Sequence, residues 1–176
     1  MALQPDAVSL AGRVAVVTGG GAGLGRGIAA GLAAFGAEVA VWERDPDTSA
    51  SAAEEVGGLS VVTDVRDTDQ VDRAVAATLD RFGRIDVLVN NAGGTFVSPL
   101  LDTSENGIDA LYRANLRHVI VCTQRVGRVM VEAGRIGAII PESAAKGARQ
   151  IDLGGGILLP GFIDVQVNGG GGALFN

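Results

Sequence analysis

Residues 13–25 read Arg-Val-Ala-Val-Val-Thr-Gly-Gly-Gly-Ala-Gly-Leu-Gly, and this stretch decides the fold. The β-branched run at 13–18 predicts a buried strand, and the glycines after it predict a tight turn. Over residues 23–35 the apolar side chains recur at intervals of three and four, which is the period of one helical face. The stretch therefore predicts a strand, a glycine turn and a helix in immediate succession.

The same alternation continues along the chain. Further strands are predicted at residues 38–42, 59–62, 85–89 and 136–140, and further helices at 49–56, 67–82 and 106–132. The order is βαβαβαβαβ, and helices of this length between strands imply right-handed crossovers and a parallel sheet covered on both faces. The predicted fold class is therefore α/β, with a doubly wound, Rossmann-like parallel sheet.

The sequence changes character after Gly134. The remainder is rich in glycine, and only short strands separated by glycine turns can be drawn there. We predict a Rossmann-like dinucleotide-binding domain at residues 1–140 and a Gly-rich β fragment at 141–176. The sheet is accordingly expected to be truncated after its fifth strand.

Composition excludes several classes of protein. A net charge of -6 argues against a nucleic-acid partner, because such domains usually carry a basic face. No apolar run is long enough to span a bilayer, and the N-terminus has no signal-peptide pattern, so we expect a cytoplasmic protein without a membrane partner. The single Cys122 and single His118 cannot form a Cys/His cluster, and no metal site is predicted.

The glycine turn has the context of a dinucleotide site, since it joins a predicted strand to a predicted helix. Gly19 permits the sharp turn, Gly23 lets the backbone approach a pyrophosphate, and Gly25 lets the helix pack on the strand. Free amides at the helix N-terminus would attract the anion. The alternative is that these glycines only make a turn.

Glu43 lies at the end of the second predicted strand, about twenty residues after the glycine turn, as the ribose ligand of such sites does. An acidic side chain there can accept hydrogen bonds from both hydroxyls of the adenosine ribose. The cofactor prediction is therefore NAD, with NADP disfavoured by repulsion of its 2′-phosphate, although Arg44 could offset that repulsion. The alternative is a solvated loop charge.

Four motifs carry a family resemblance. They are TGxxxGxG at residues 18–25, Asp-Val at 64–65, Asn-Asn-Ala-Gly at 90–93 and Asn-Leu at 115–116. In this order and spacing, residues 1 to about 133 resemble the short-chain dehydrogenase/reductase family. The resemblance implies hydride transfer between a nicotinamide cofactor and a small alcohol or carbonyl substrate of unknown identity.

The resemblance also implies site residues. Asp64 would contact the adenine, the segment 90–93 would line the cofactor and steady the central strand, and Asn115 would belong to a proton relay. With the glycine turn and Glu43 included, the predicted cofactor-binding residues are Gly19, Gly23, Leu24, Gly25, Glu43, Asp64, Val65, Asn90, Ala92 and Gly93.

The family's chemistry also needs a Tyr followed four residues later by a Lys, because that spacing puts both groups on one helix face. The chain contains one tyrosine, Tyr112, and one lysine, Lys146, so no Tyr-x-x-x-Lys exists. Tyr112 is expected to pack on the long helix. Ser143 falls roughly where the family's serine belongs, so the catalytic candidates are Asn115 and Ser143, and catalysis is expected to be impaired.

Residues 134–176 resemble a different family. Asp-Leu-Gly-Gly at 152–155, Pro-Gly-Phe-Ile-Asp at 160–164 and Val-Gln-Val-Asn-Gly at 165–169 are similar to the start of N-acetylglucosamine-6-phosphate deacetylase, of the amidohydrolase superfamily. The rest of that family's metal-bearing barrel is absent, so deacetylase activity is not expected. Because the two resemblances abut without overlap, we hypothesise a chimera or a frameshift-like fusion.

Three functions follow as hypotheses. The first is a dinucleotide-binding module without efficient hydride transfer, and the second is a non-catalytic product that acts through protein association. The third is a dehydrogenase that uses an unorthodox acid such as Ser143 or Lys146. Full members of the family often oligomerise through their long helices, so a homo-oligomer through residues 106–132 is one of the partners to test.

Overall fold

The computed structural model describes residues 9–132. The predicted fifth strand at 136–140, the candidate Ser143 and the Gly-rich fragment at 141–176 lie outside the described residues. The predictions tested below therefore concern the first four strands and the helices that connect them.

The fold is a Rossmann-like α/β fold built on a parallel sheet, as predicted. Its strands are β1 (Val14–Thr18), β2 (Glu38–Glu43), β3 (Leu59–Val62) and β4 (Val87–Asn90). Residues 9–132 form a four-stranded sheet in the order β3-β2-β1-β4, and every pairing is parallel. The helices are α1 (Gly23–Ala34), α2 (Pro46–Glu55), α3 (Thr68–Phe82), α4 (Glu105–Tyr112) and α5 (His118–Glu132).

Two predicted boundaries are wrong by two or three residues. Helix α2 begins at Pro46 rather than at residue 49, because the Asp45 carboxylate accepts a hydrogen bond of 2.8 Å from the Thr48 amide and so caps the helix. Proline at the first helical position has no amide that would need a partner. Strand β4 begins at Val87, and the buried Ile85 belongs to the approach to the strand.

The predicted long helix at 106–132 contains an irregular turn. A π-helical turn, Arg113–Arg117, separates α4 from α5. Within it, the Asn115 side-chain nitrogen donates to the Leu111 carbonyl oxygen at 2.9 Å. A side chain that bonds the preceding turn of its own helix competes with the regular ladder, and π turns of this kind often occur at functional sites.

The core lies on both faces of the sheet, because successive strand residues point to opposite sides. On β1, Ala15 and Val17 pack towards α1 and α2, whereas Val16 packs towards α3 and α5. Trp42 is fully buried on the second face, and its indole nitrogen donates to the Thr78 hydroxyl at 3.1 Å. The doubly covered sheet predicted from the sequence is confirmed.

This topology leaves one edge of the sheet for a ligand. The carboxyl ends of parallel strands meet at the same edge, and ligands of such folds bind there, where the connections leave for opposite faces.

In residues 9–132, no helix is both long and apolar enough to cross a membrane.

Candidate functional site

A cleft of about 480 Å³ opens along the carboxyl edge of the sheet. Residues that follow each of the four strands contribute to its walls, and the first turns of the π-interrupted helix close one side. The lining residues are Gly19, Trp42, Glu43, Arg44, Thr63, Asp64, Val65, Arg66, Asn91, Ala92, Gly93, Gly94, Thr95, Phe96, Ala110, Leu111 and Ala114.

The glycine turn between β1 and α1 requires glycine at three positions for different reasons. Gly19 has a φ of +63°, and a Cβ there would lie 2.9 Å from the Ala92 Cα. Gly25 is buried, and a Cβ on it would collide with the Gly19 carbonyl oxygen. Gly23 has a φ of +53° and faces open space, with exposed Leu24 beside it. The turn is therefore closed towards the protein and open towards solvent at Gly23.

The N-terminus of α1 has no side-chain cap. Its N-cap residue is Ala22, and its first turn contains no acidic residue. Helices α2, α3 and α4, in contrast, are capped by the side chains of Asp45, Asp67 and Ser104. The first amides of a helix have no partner within the helix, and the helix dipole places positive charge there. The start of α1 thus carries positive partial charge that no side chain of the helix neutralises.

Thr18 connects the glycine turn to the segment after β4. Its buried hydroxyl accepts hydrogen bonds from the amides of Asn91 and Ala92, both at 3.0 Å. The Asn91 side-chain nitrogen returns two bonds of 3.0 Å, to the carbonyl oxygens of Thr18 and Gly19. These bonds fix the two loops against each other at the centre of the sheet edge.

Glu43 reaches the glycine turn from the end of β2. Its Oε2 accepts a 3.3 Å hydrogen bond from the Gly21 amide, and its Oε1 accepts from the amides of Arg44 and Asp45 at 2.7 and 3.3 Å. The carboxylate is therefore held by three backbone donors. A carboxylate has about four lone-pair sites, so one on Oε2 is left for a ligand.

Asp64 and Val65, two of the predicted cofactor-binding residues, follow β3 and line the cleft. Val65 is buried, and the Asp64 carboxylate forms a bidentate salt bridge with the Arg66 guanidinium. The shortest contact of this pair, between Arg66 Nη2 and Asp64 Oδ2, is 2.5 Å. The guanidinium hydrogen bonds hold the pKa of Asp64 below its ordinary value, so this carboxylate is charged at neutral pH.

Asn90 and Gly93 lie on either side of the turn after β4. Asn90 donates to the Thr123 hydroxyl of α5 at 3.2 Å, which ties the end of β4 to a helix on the second face. Gly93 is exposed and leaves room for Asn115, whose Oδ1 would lie 3.0 Å from a Cβ at that position. Asn115 also binds both backbone groups of Gly94, the residue after Gly93. Its Oδ1 accepts from the Gly94 amide at 3.1 Å, and its Nδ2 donates to the Gly94 carbonyl oxygen at 2.8 Å.

Two buried titratable side chains lie behind the cleft. His118 is fully buried, and within residues 9–132 neither of its ring nitrogens makes a hydrogen bond of ordinary geometry. Burial lowers the pKa of His118, and the nearby carbonyls of Ala114 and Ala92 oppose this only in part. Burial also raises the pKa of the Cys122 thiol to about 12, so the thiol stays protonated and unreactive.

The catalytic candidates are only partly described. Asn115 lies in the π turn beside the cleft, and Ser143 lies outside the described residues. Tyr112 is half-exposed on α4 and is not one of the residues that line the cleft. Between residues 9 and 132, no group of three or more His, Cys, Asp or Glu side chains is arranged to hold a metal ion.

Sequence reasoning missed four residues that shape the site. Thr18 and Asn91 stand inside quoted motifs, but the motifs do not reveal the hydrogen bonds that join them. Arg66 pairs with an acid two positions away, and Arg117 donates to Arg66 and Thr68 from about fifty positions further along the chain. A sequence pattern has no signal for contacts that depend on the folded geometry.

Comparison with known proteins gives a consistent result. The family profile described as short chain dehydrogenase matches residues 13–153, which extends beyond residue 133, where the predicted resemblance ends. Sorbitol dehydrogenase of Cereibacter sphaeroides is 34% identical over 142 residues, covering 80% of this chain and 56% of that protein. The 3-oxoacyl-[acyl-carrier-protein] reductase of Synechocystis sp. is 40% identical over 136 residues, covering 73% of this chain and 55% of that protein.

Solved structures agree with the sequence matches. A 3-ketoacyl-(acyl-carrier-protein) reductase from Brucella melitensis, complexed with NADH, superposes with a TM-score of 0.69 at 33% identity over 73% of this chain and 54% of that one. A short-chain type dehydrogenase/reductase from Mycobacterium marinum gives 0.71 at 31% identity over 73% and 53% of the two chains. The chain spans a little over half the length of these relatives. By profile, sequence and fold, it belongs to the short-chain dehydrogenase family.

Proposed function

We propose that the chain binds a nicotinamide adenine dinucleotide along the carboxyl edge of its sheet, prefers NAD to NADP, and by itself transfers hydride poorly. The observation that carries the proposal is a cleft lined by residues after all four strands, next to a helix start without a side-chain cap. The NADH complex of the Brucella melitensis reductase, which shares this fold, supports the choice of ligand.

Each part of the cleft suits one part of the dinucleotide. The pyrophosphate would lie at the start of α1, where Gly23 leaves open space and the helix amides supply donors. The adenine would lie against Val65, with its amino group towards the charged Asp64 carboxylate. The nicotinamide would extend past Ala92 and Gly93 to the loop that Asn115 holds, and when bound it supplies the hydride donor or acceptor.

The NAD preference rests on Glu43. Three backbone amides already hold its carboxylate, and Oε2 keeps one lone-pair site that a ribose hydroxyl can use. A 2′-phosphate at the same place would face this negative charge. Arg44 also lines the cleft, and its charge would reduce the repulsion without supplying a hydroxyl acceptor.

Calorimetric titration with NADH and NADPH tests this proposal. Wild-type protein should bind NADH more tightly than NADPH. Glu43→Ala should weaken NADH binding by about tenfold and reduce the ratio of the NADPH to the NADH dissociation constant. Glu38→Ala is the matched control, since Glu38 is an exposed acid at the opposite end of the same strand. Equal or tighter binding of NADPH by wild-type protein would contradict the NAD preference, and binding of neither nucleotide would overturn the function.

Impaired catalysis is the second part of the proposal. The sequence has no Tyr-x-x-x-Lys, and Tyr112 is followed four residues later by Leu116. A chain without this pair of residues lacks the paired phenol and ammonium that would exchange a proton with a carbonyl substrate. A panel of small ketones and sugars with NADH should therefore show no oxidation above background, and clear turnover would contradict this part.

Association between two copies of the chain is a second candidate, which exposed apolar side chains favour. Ile108, Tyr112, Leu116 and Ile120 recur every four residues along the π-interrupted helix, and all four are exposed. Exposed apolar stripes of this kind commonly mark protein contacts. Analytical ultracentrifugation of wild-type protein and Leu116→Glu tests it, since a dimer that the substitution dissociates would support association and a monomer at all concentrations would refute it.

A further inference from the structure

The π turn Arg113–Arg117 contacts the cleft loops on both sides. Asn115 holds Gly94, which follows β4, by its amide and its carbonyl. Two positions later, Arg117 holds the segment that follows β3. Residues two positions apart on a helix point in different directions, so one turn can secure two separate loops.

Arg117 binds its loop through two different acceptors. Its Nη1 donates to the Arg66 carbonyl oxygen, and its Nη2 donates to the Thr68 hydroxyl, both at 3.2 Å. The planar guanidinium suits such a bridge, because its donors leave in fixed directions. The side chain is partly buried between the π turn and the start of α3, so it spans the gap between the two elements.

The bridged segment is the one that carries Asp64. Between Arg117 and Asp64 stands Arg66, whose backbone carbonyl is held by Arg117 and whose guanidinium grips the Asp64 carboxylate. The Asp64 amide is fixed separately by the Gln70 side chain at 2.9 Å. Arg117 is not itself a lining residue of the cleft, but it restrains Arg66, the lining residue whose guanidinium orients the Asp64 carboxylate.

We infer that Arg117 is a positioning residue for adenine recognition, which fixes the loop at 64–68 so that the Asp64 carboxylate faces the adenine amino group. The inference rests on the proposed function and deepens it. It assigns Arg117 a role in ligand selectivity that is separable from the general packing of α3 against α5.

The test compares NADH with reduced nicotinamide hypoxanthine dinucleotide, which carries an oxo group in place of the adenine amino group. Wild-type protein should prefer NADH, because a carboxylate accepts from an amino group and repels an oxo group. Arg117→Met should weaken NADH binding by about tenfold and bring the ratio of the two dissociation constants close to one. Amide exchange of residues 64–68 in the ligand-free protein should rise at the same time.

The matched control is Arg125→Met. Arg125 lies further along the π-interrupted helix, in α5, and pairs with Asp72 of α3 at 2.8 Å, so it joins this helix to α3 without contacting the loop at 64–68. It should leave the ratio and the loop exchange unchanged. Arg117→Lys and Thr68→Val, each of which removes part of the bridge, should give intermediate ratios and provide folded variants if Arg117→Met unfolds.

The outcomes separate the inference from the function. Suppose that wild-type protein prefers NADH to the hypoxanthine dinucleotide. If Arg117→Met keeps this preference, or if Arg125→Met loses it to the same extent, the inference is overturned and the proposed function stands. If wild-type protein binds neither dinucleotide, the function fails and the inference fails with it.

Discussion

Replacing Thr18 by valine removes the hydroxyl that joins the two central loops of the cleft while keeping the shape of the side chain. The fully buried hydroxyl accepts from the amides of Asn91 and Ala92 at 3.0 Å and donates to the Val89 carbonyl at 3.3 Å. Each amide left without a partner costs about 1–3 kcal/mol. The added methyl group returns roughly 0.8 kcal/mol of apolar burial.

We therefore expect Thr18→Val to destabilise the fold by about 3 kcal/mol, which corresponds to a melting temperature lower by roughly 6–12 °C. Thr18→Ser is the control, because it keeps the hydroxyl and loses only a methyl group, at about 1 kcal/mol. Urea and thermal unfolding followed by circular dichroism give both values, and NADH affinity should fall only in the valine variant. A valine variant as stable as the serine variant, with unchanged NADH affinity, would refute the reasoning.

Three further predictions concern other buried positions. Gly25→Ala should destabilise the fold by about 2 kcal/mol, because the added Cβ would collide with the Gly19 carbonyl oxygen. Gly27→Ala is the control on the same helix, where the glycine faces open space, and it should stabilise the fold by about 0.5–1 kcal/mol. Equal unfolding midpoints for the two variants would contradict this prediction. Burial keeps the pKa of His118 below its ordinary 6.5, so the unfolded state takes up a proton first as the pH falls. The free energy of unfolding should therefore decrease below about pH 6.5, by up to about 1.4 kcal/mol per pH unit. Urea titrations at several pH values should show a smaller drop in His118→Gln, and equal slopes would count against a buried neutral ring. Because its pKa is raised to about 12, Cys122 should not react with a thiol reagent at neutral pH until urea unfolds the chain, and rapid labelling of the native protein would contradict its burial.

The sheet and its crossovers could be predicted from the sequence because their signals are local. The β-branched run at 13–18, the glycines after it and the three- and four-residue spacing over 23–35 predict β1, the turn and α1 within one residue at each end. The predicted start of α2, at residue 49, is three residues late, because the Asp45 cap and Pro46 begin the helix earlier.

The contacts that shape the cleft could be predicted only in part. The glycine turn can be recognised in the sequence, because its backbone geometry tolerates only glycine at certain positions. Gly19 and Gly25 indeed lie where a side chain would collide with its neighbours. Asn115 of the π turn bonds Gly94, which follows β4, and no periodicity of the sequence encodes a contact between two different elements. The bridge from Arg117 to Thr68 arises in the same way, from two elements that meet only after folding.

Energy transfer from Trp42 to NADH tests the central claim most directly. Trp42 is the chain's single tryptophan, and it lines the cleft next to Glu43, so a dinucleotide bound along the sheet edge should quench its emission. Gly23→Val and Gly57→Val form the matched pair, because both glycines have positive φ and face open space but only Gly23 begins α1.

We predict saturable transfer that NAD competes away, that Gly57→Val retains, and that Gly23→Val loses while its circular dichroism spectrum stays native. Transfer that does not saturate, or that survives equally in both variants, would contradict a dinucleotide site at the start of α1.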